Sequence, residues 1–194
     1  MKSLCVYCGS SRGARPEYAE LARRVGSLLA QRGITLVYGA GNIGLMGIAA
    51  DAALAAGGKV VGVIPRTLVE KEVAHRELSE LIVVNDMHER KLTMATRADG
   101  FIALPGGIGT LEELFETWTW LQLGFHQKPI ALLDASGYFT SLLAFLDTMV
   151  AEGFLIAGQR ELLMTGTDPE EVLSRMSSFI APNTDRWYES VRLA

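Results

Sequence analysis

The sequence predicts a single α/β domain with a doubly wound parallel sheet of about six or seven strands and helices on both faces. Short apolar runs alternate with amphipathic segments along the chain of 194 residues. The apolar runs are continuous and lack a period of two, which is typical of parallel strands buried on both faces. A chain of this length can bury the core of one such domain. We therefore assign residues 1–180 to one domain and residues 181–194 to a C-terminal tail.

The apolar runs give the strands. Glycine, proline or polar residues bound each run, and Pro65 is expected to end the third. Strands are expected at residues 3–8, 34–38, 59–64, 81–84, 101–104 and 129–133, with a seventh, edge strand at 162–165.

Start and stop signals mark several of the helices. Pro16 opens the first helix and Gly33 ends it, while Asp168 caps the last helix, which begins at Pro169. The helices are expected at residues 16–32, 45–56, 86–98, 110–123, 138–152 and 169–179, with a short helical segment within 66–79.

The composition excludes some classes of partner. A net charge of −4 gives no electrostatic attraction for nucleic acid or for an anionic membrane. The first apolar run stops at Gly9, too soon for a signal peptide, and no run approaches the ~20 residues of a membrane helix. Cys5 and Cys8 lie three apart on a strand, so they are expected to face opposite sides as buried thiols. Reduced thiols fit a cytoplasmic protein.

The three histidines give no sign of a metal centre. Their spacing is not that of metal ligands, and no cysteine or aspartate cluster joins them. We expect loop or surface positions for all of them, which are His75, His88 and His126.

Three glycine-bearing turns follow predicted strands, at residues 9–11, 39–44 and 106–109. Ligands of an open parallel sheet bind at the carboxyl ends of its strands. The second turn fits G-x-G-x-x-G, but it follows the second strand, and the next strand ends without a ribose-binding carboxylate. Arg66 at that end keeps an NADP site open as an alternative, and tight turns alone would explain any single loop. Together the turns favour a nucleotide, with candidate contacts at Ser10, Gly41, Gly44 and Gly106.

The helix at 86–98 carries two adjacent cations. Met87, Arg90, Lys91 and Met94 fall at i, i+3, i+4 and i+7, on one face. A buried cation needs an anionic partner, which a phosphate would supply. The alternative is that both side chains snorkel to water. Because the next strand leads straight into the third glycine turn, we favour contact with a phosphate or ribose.

Glu113 has two interpretations. Thr110 as N-cap and Glu113 at the third helical position would form a capping box. Alternatively, the helix dipole would keep Glu113 ionised, as stabilisation of an oxocarbenium-like centre requires. The apolar stripe that follows on this helix is expected to be core.

Two motifs resemble the LOG ("lonely guy") family of cytokinin riboside 5'-monophosphate phosphoribohydrolases, which are often labelled lysine decarboxylases. Residues 105–113 fit the family pattern PGGxGTxxE, and residues 87–91 fit M-H-x-R-K. The resemblance extends from about Leu4 to Phe179. It implies a Rossmann-like fold, a homodimer or larger assembly, and hydrolysis of N6-substituted AMP to the free base and ribose 5-phosphate.

The resemblance also implies the site residues, with Arg90 and Glu113 as the catalytic pair. The implied substrate contacts are Glu72, Met87, Lys91, Gly107, Ile108, Gly109, Thr110, Leu111, Glu112 and Thr119. No metal or cofactor is required, because the base is a fair leaving group once its ring nitrogen is protonated. Decarboxylation would need a Schiff-base lysine, and nothing singles one out. A general AMP nucleosidase and a non-catalytic nucleotide-binding module stay as alternatives.

Overall fold

The computed structural model describes residues 1–69, 74–75 and 77–181. Its sheet has seven strands, all parallel, in the order β4-β3-β2-β1-β5-β6-β7. This confirms the predicted sheet. The strands are β1 (Ser3–Tyr7), β2 (Thr35–Tyr38), β3 (Val60–Pro65), β4 (Glu80–Val84), β5 (Phe101–Ala103), β6 (Ile130–Leu133) and β7 (Leu163–Gly166).

The helices agree with the sequence signals to within about two residues. They are α1 (Pro16–Gln31), α2 (Gly44–Ala55), α3 (Arg66–Val69), α4 (Met87–Arg97), α5 (Ile108–Gln122), α6 (Thr140–Ala151), α7 (Ala157–Glu161) and α8 (Pro169–Ser177). The Asp168 side chain accepts hydrogen bonds from the N–H groups of Glu170 and Glu171, as a predicted N-cap should. Helix α7 was not predicted, because one and a half turns carry no recognisable period.

The third strand ends at Pro65, one residue later than predicted. Pro65 is the last residue of β3 and pairs with Val84 of β4. Proline is tolerated there because no further pairing residue follows it.

Helices cover both faces of the sheet, as expected for a doubly wound fold. Residues from α1, α2 and α8 pack on one face, and residues from α4, α5 and α6 pack on the other. Cys8 belongs to the first core and Cys5 to the second, and both thiols are free and buried. The prediction that they face opposite sides is confirmed.

The strand order reverses direction at β1, which lies between β2 and β5. In such sheets the ligand crevice opens at this switch point, outside the carboxyl ends of the strands. The three glycine turns follow β1, β2 and β5, so the topology brings all of them to this crevice. Within the described ranges, no helix is both long and apolar enough to cross a membrane.

Candidate functional site

The turns after β1 and β5 are in direct contact. The N–H of Gly9 donates to the Pro105 carbonyl at 3.1 Å. Beside this contact lies a cavity of about 270 Å³. Its walls come from the first turn, the proline–glycine turn and two aromatic side chains, and comprise residues 9–13, Tyr18, Leu45, 105–107 and Tyr138. The cavity therefore occupies the crevice at the switch point.

The turn after β2 is closed to a dinucleotide. The N–H groups of Leu45 and Met46, in the first turn of α2, both donate to the Gly9 carbonyl, at 2.9 and 3.4 Å. In a dinucleotide fold these amides would bind the pyrophosphate. Gly44 has a φ of +66°, and a side chain there would collide with the Ser10 backbone. The geometry thus argues against the NADP alternative.

Of the substrate contacts predicted in the first two turns, one lies at the cavity and two are used in packing. Ser10 is exposed at the cavity wall. Gly41 leaves space for the Met46 side chain, and Gly44 lets the first two turns pack together. The packing accounts for both glycines, and their contact with a substrate stays a prediction.

Helix α5 begins earlier than the capping box requires. Gly107 is the N-cap, with no side-chain cap, and Ile108 is the first helical residue. The prediction of Thr110 as N-cap was therefore wrong. Thr110 is buried within the first turn and packs where a side chain on Gly106 would otherwise lie. Glu113, a turn and a half into the helix, does not cap it.

This start of α5 presents unpaired donors. Within the described part of the chain, no hydrogen bond is made by the backbone N–H groups of Gly107, Ile108, Gly109 or Thr110. Gly107 and Gly109 also face open space, since a Cβ on either would meet no atom within 4 Å. Four free amides at the positive end of a helix form a ready site for an anion.

Arg90 is a buried cation held by backbone carbonyls. The residue is 6% exposed, its Nε donates to Val63 at 3.2 Å, and its Nη2 donates to Gly39 at 2.9 Å. A side chain on Gly39 would collide with this guanidinium. Among the described residues, no carboxylate forms an ion pair with Arg90. A buried cation of this kind is electrostatically incomplete and favours an anionic ligand.

Lys91 is buried like Arg90 but satisfied differently. Its Nζ pairs with Glu112 and, at 3.0 Å, with Glu116. Burial lowers the pKa of Lys91, but the hydrogen bonds with the two carboxylates outweigh burial and raise it above its ordinary value. Lys91 thus ties α4 to α5, and its contact with substrate, like that of Glu112, stays a prediction. Sequence reasoning missed Glu116, although it lies four residues after Glu112 on the same helix face.

Glu113 is partly buried on α5. Burial raises the pKa of Glu113 to about 7; Arg90 and Lys91 lower it, while Glu112 and Glu116 raise it. Burial, and after it the Glu113 charge, also raises the pKa of the Cys8 thiol.

The pKa of about 7 leaves Glu113 only partly ionised at neutral pH, whereas the helix dipole was expected to favour the ionised form throughout. The dipole acts mainly within the first turn, whereas Glu113 is the sixth residue of α5. A carboxyl that titrates near neutral pH can both give and take a proton, which suits a general acid or base.

The remaining predicted substrate contacts lie on α4 and α5, except one that falls outside the described residues. Met87 is partly exposed at the start of α4, with its sulfur 3.6 Å from Nη1 of Arg90. Ile108 is 83% exposed, and Leu111 is partly buried. Thr119 is exposed on the α5 face of Glu112 and Glu116. Glu72 lies outside the described residues.

The three histidines lie in loops or at the surface, as expected. His75 is in a loop and is buried, and its Nε2 hydrogen-bonds Asp51 at 2.8 Å. His126 is partly buried and bonds the Thr117 carbonyl, while His88 is exposed. In the ranges that the structure describes, no group of histidine, cysteine and acidic residues could hold a metal ion.

Tyr138 is a further residue at this edge that sequence reasoning missed. Its hydroxyl donates to the Gly106 carbonyl at 2.6 Å, and its ring packs on Tyr18 with centroids 5.4 Å apart. Tyr138 lies 32 residues after Gly106, so no local pattern could have joined them.

Comparison with known proteins gives close relatives in sequence. A family model described as "Possible lysine decarboxylase" matches residues 46–176. The chain is 47% identical over 178 residues to cytokinin riboside 5'-monophosphate phosphoribohydrolase LOG7 of Arabidopsis thaliana, covering 92% of this chain and 82% of that protein. It is 45% identical over 185 residues to probable cytokinin riboside 5'-monophosphate phosphoribohydrolase LOGL3 of Oryza sativa subsp. japonica, covering 95% of this chain and 87% of that protein.

Solved structures give the same fold at lower identity. The molybdenum cofactor binding protein from Rippkaea orientalis superposes with a TM-score of 0.68 at 23% identity, over 92% of this chain and 97% of that one. The molybdenum cofactor carrier protein from Chlamydomonas reinhardtii gives 0.67 at 18% identity, over 90% and 95%. At these identities the likeness concerns the fold alone, which is Rossmann-like.

Proposed function

Because the chain belongs to the LOG family of cytokinin riboside 5'-monophosphate phosphoribohydrolases, we propose that it hydrolyses the N-glycosidic bond of N6-substituted AMP. The products are a free adenine-type base, a cytokinin, and ribose 5-phosphate. One observation carries the proposal: the buried guanidinium of Arg90 lacks a described carboxylate partner and lies near a carboxyl, Glu113, whose pKa is about 7. Binding a phosphate alone would not require that acid.

Two sets of groups carry out the reaction. The amides at the start of α5 and Arg90 bind the substrate, and the carboxyl of Glu113 acts on the bond that breaks. The free amides at the start of α5 bind the 5'-phosphate, and Arg90 binds the ribose hydroxyls or the phosphate through two N–H groups. Cleavage of the C1'–N9 bond leaves the electron pair on the base and builds positive charge on the ribose. Ionised Glu113 stabilises that charge and takes a proton from the attacking water. The base takes a proton from solvent on a ring nitrogen and leaves as a neutral molecule, and Glu113 returns the proton of the attacking water to solvent, so one water is consumed for each bond cleaved.

We also propose that the protein is a homodimer and that it lies in the cytoplasm. Large apolar side chains are exposed on and after α6, including Phe145 and Phe154, at 61% and 83%. Exposed apolar surface of this kind is usual at protein–protein interfaces. The free buried thiols of Cys5 and Cys8 fit a reducing compartment. Light scattering at several protein concentrations would measure the assembly, and a monomer throughout would overturn this part.

The substrate is tested by comparing nucleotides. The protein is incubated with isopentenyl-AMP and with AMP, and the released ribose 5-phosphate is assayed. Faster release from isopentenyl-AMP supports the proposal, and equal rates would indicate a general AMP nucleosidase. No release from either, with both nucleotides bound, would indicate a binding module.

A further inference from the structure

Tyr138 holds one peptide group of the glycine turn in place. Its hydroxyl donates to the Gly106 carbonyl at 2.6 Å, although the two residues follow different strands, β6 and β5. The ring is fixed between two aromatic neighbours, Tyr18 and Phe139, at centroid distances of 5.4 and 4.8 Å. These ring contacts orient the hydroxyl toward Gly106, although the residue is 43% exposed.

Fixing a carbonyl also fixes the amide joined to it. In a planar trans peptide the C=O of Gly106 and the N–H of Gly107 point in opposite directions. Glycine on both sides leaves this peptide group free to rotate as a unit, since neither residue has a Cβ to restrict φ and ψ. A hydrogen bond to the carbonyl is thus what selects one of the two orientations.

The carbonyls of this turn are occupied while its amides are free. Gly9 donates to the Pro105 carbonyl at 3.1 Å, and Tyr138 donates to the Gly106 carbonyl. The next four amides, from Gly107 to Thr110, have no partner in the described part of the chain. A reversed Gly106–Gly107 peptide would replace one of these donors by a carbonyl oxygen, which would repel a phosphate.

We propose that Tyr138 is a positioning residue for the substrate phosphate, which holds the Gly106 carbonyl so that the Gly107 N–H faces the anion. This inference rests on the proposed function, because it assumes that a phosphate occupies the start of α5. Loss of the Tyr138 hydroxyl therefore weakens the binding of ligands that carry a phosphate and does not change the binding of the base. Since the phosphate is bound equally in the ground state and the transition state, loss of the hydroxyl raises KM and leaves kcat unchanged.

The test uses Tyr138→Phe, which keeps the ring and removes the hydroxyl. The matched control is Tyr38→Phe, because the buried Tyr38 hydroxyl has no hydrogen-bond partner among the described residues. Calorimetric titration gives the Kd of ribose 5-phosphate and of the nucleoside without phosphate for wild type and both variants. Steady-state assays with isopentenyl-AMP give KM and kcat.

We expect Tyr138→Phe to weaken ribose 5-phosphate binding and to raise KM by about 3- to 10-fold, the range of one neutral hydrogen bond. Binding of the nucleoside, kcat and the control stay as in wild type. An unchanged Kd for ribose 5-phosphate, or an equal loss for the nucleoside or in Tyr38→Phe, would overturn the inference. A wild-type protein that binds ribose 5-phosphate but cleaves no nucleotide would instead refute the proposed function and leave this inference standing or falling on the titration.

Discussion

Replacing Glu113 by Gln should stabilise the fold at alkaline pH while it abolishes turnover. Burial raises the pKa of Glu113 in the folded protein to about 7 from an ordinary value of 4.5. The folded state therefore binds this proton more tightly than the unfolded chain does. The resulting stabilisation is full below about pH 4.5 and is lost as the pH rises through about 7. Glutamine has the shape of the protonated acid and never ionises, so the variant keeps what the wild type loses.

The size of the effect follows from the pKa. Each unit of difference between the folded and unfolded values is worth about 1.4 kcal/mol, which gives about 2–3 kcal/mol between pH 5 and pH 9. For a domain of this size, 1 kcal/mol changes Tm by roughly 2–4 °C. The Tm of Glu113→Gln should thus exceed that of wild type by about 5–10 °C at pH 9 and by much less at pH 5.

Thermal unfolding is followed by circular dichroism from pH 5 to pH 9 for wild type, Glu113→Gln and the control Glu152→Gln. Glu152 is exposed and forms no ion pair within the described ranges. The control should follow the wild type at every pH. Parallel curves for Glu113→Gln and wild type would refute the claim that this carboxyl titrates near neutrality. Retained release of ribose 5-phosphate by the variant would refute its catalytic role.

Three further predictions concern single features of the structure. Gly39→Ala places a methyl group in the position of the Arg90 guanidinium, so kcat/KM should fall by about 100-fold or more in a folded protein; activity near that of wild type would contradict the described position of Arg90. Gly107→Ala meets no neighbouring atom, so its Tm should match wild type while calorimetry shows weaker ribose 5-phosphate binding; unchanged binding would mean that the ligand lies elsewhere. The two buried thiols, Cys5 and Cys8, should not react with Ellman's reagent until denaturant is added, and rapid reaction of either in the native protein would contradict their burial.

The sheet was predictable from the sequence because its signals are local. Each parallel strand is a short apolar run, and the helices are bounded by residues such as Gly33 and Asp168, whose effects act within one turn of chain. The exact start of α5 was not predictable. Both Gly107 and Thr110 can precede a helix, and the choice depends on Thr110 filling the space that Gly106 leaves beside the first turn.

The sequence predicted which residues form the candidate site, but it could not predict their hydrogen-bond partners or their burial. Helical spacing placed Arg90 and Lys91 on one face, but it could not distinguish their partners. Arg90 meets carbonyls at the ends of β2 and β3, whereas Lys91 meets carboxylates on α5, and both contacts join residues distant in sequence. The pKa of Glu113 likewise depends on burial, which only the assembled sheet creates.

The position of β1 at the switch point has a consequence for the order of folding. During synthesis β1 emerges before the other six strands of this sheet, and β2, β3 and β4 can assemble beside it in turn. Its other edge stays open until Phe101–Ala103 leaves the ribosome, since β5 is the partner of that edge. An unpaired apolar edge is a site of mispairing between nascent chains. The strand that later organises the crevice thus keeps one edge waiting for a neighbour that is still to be made.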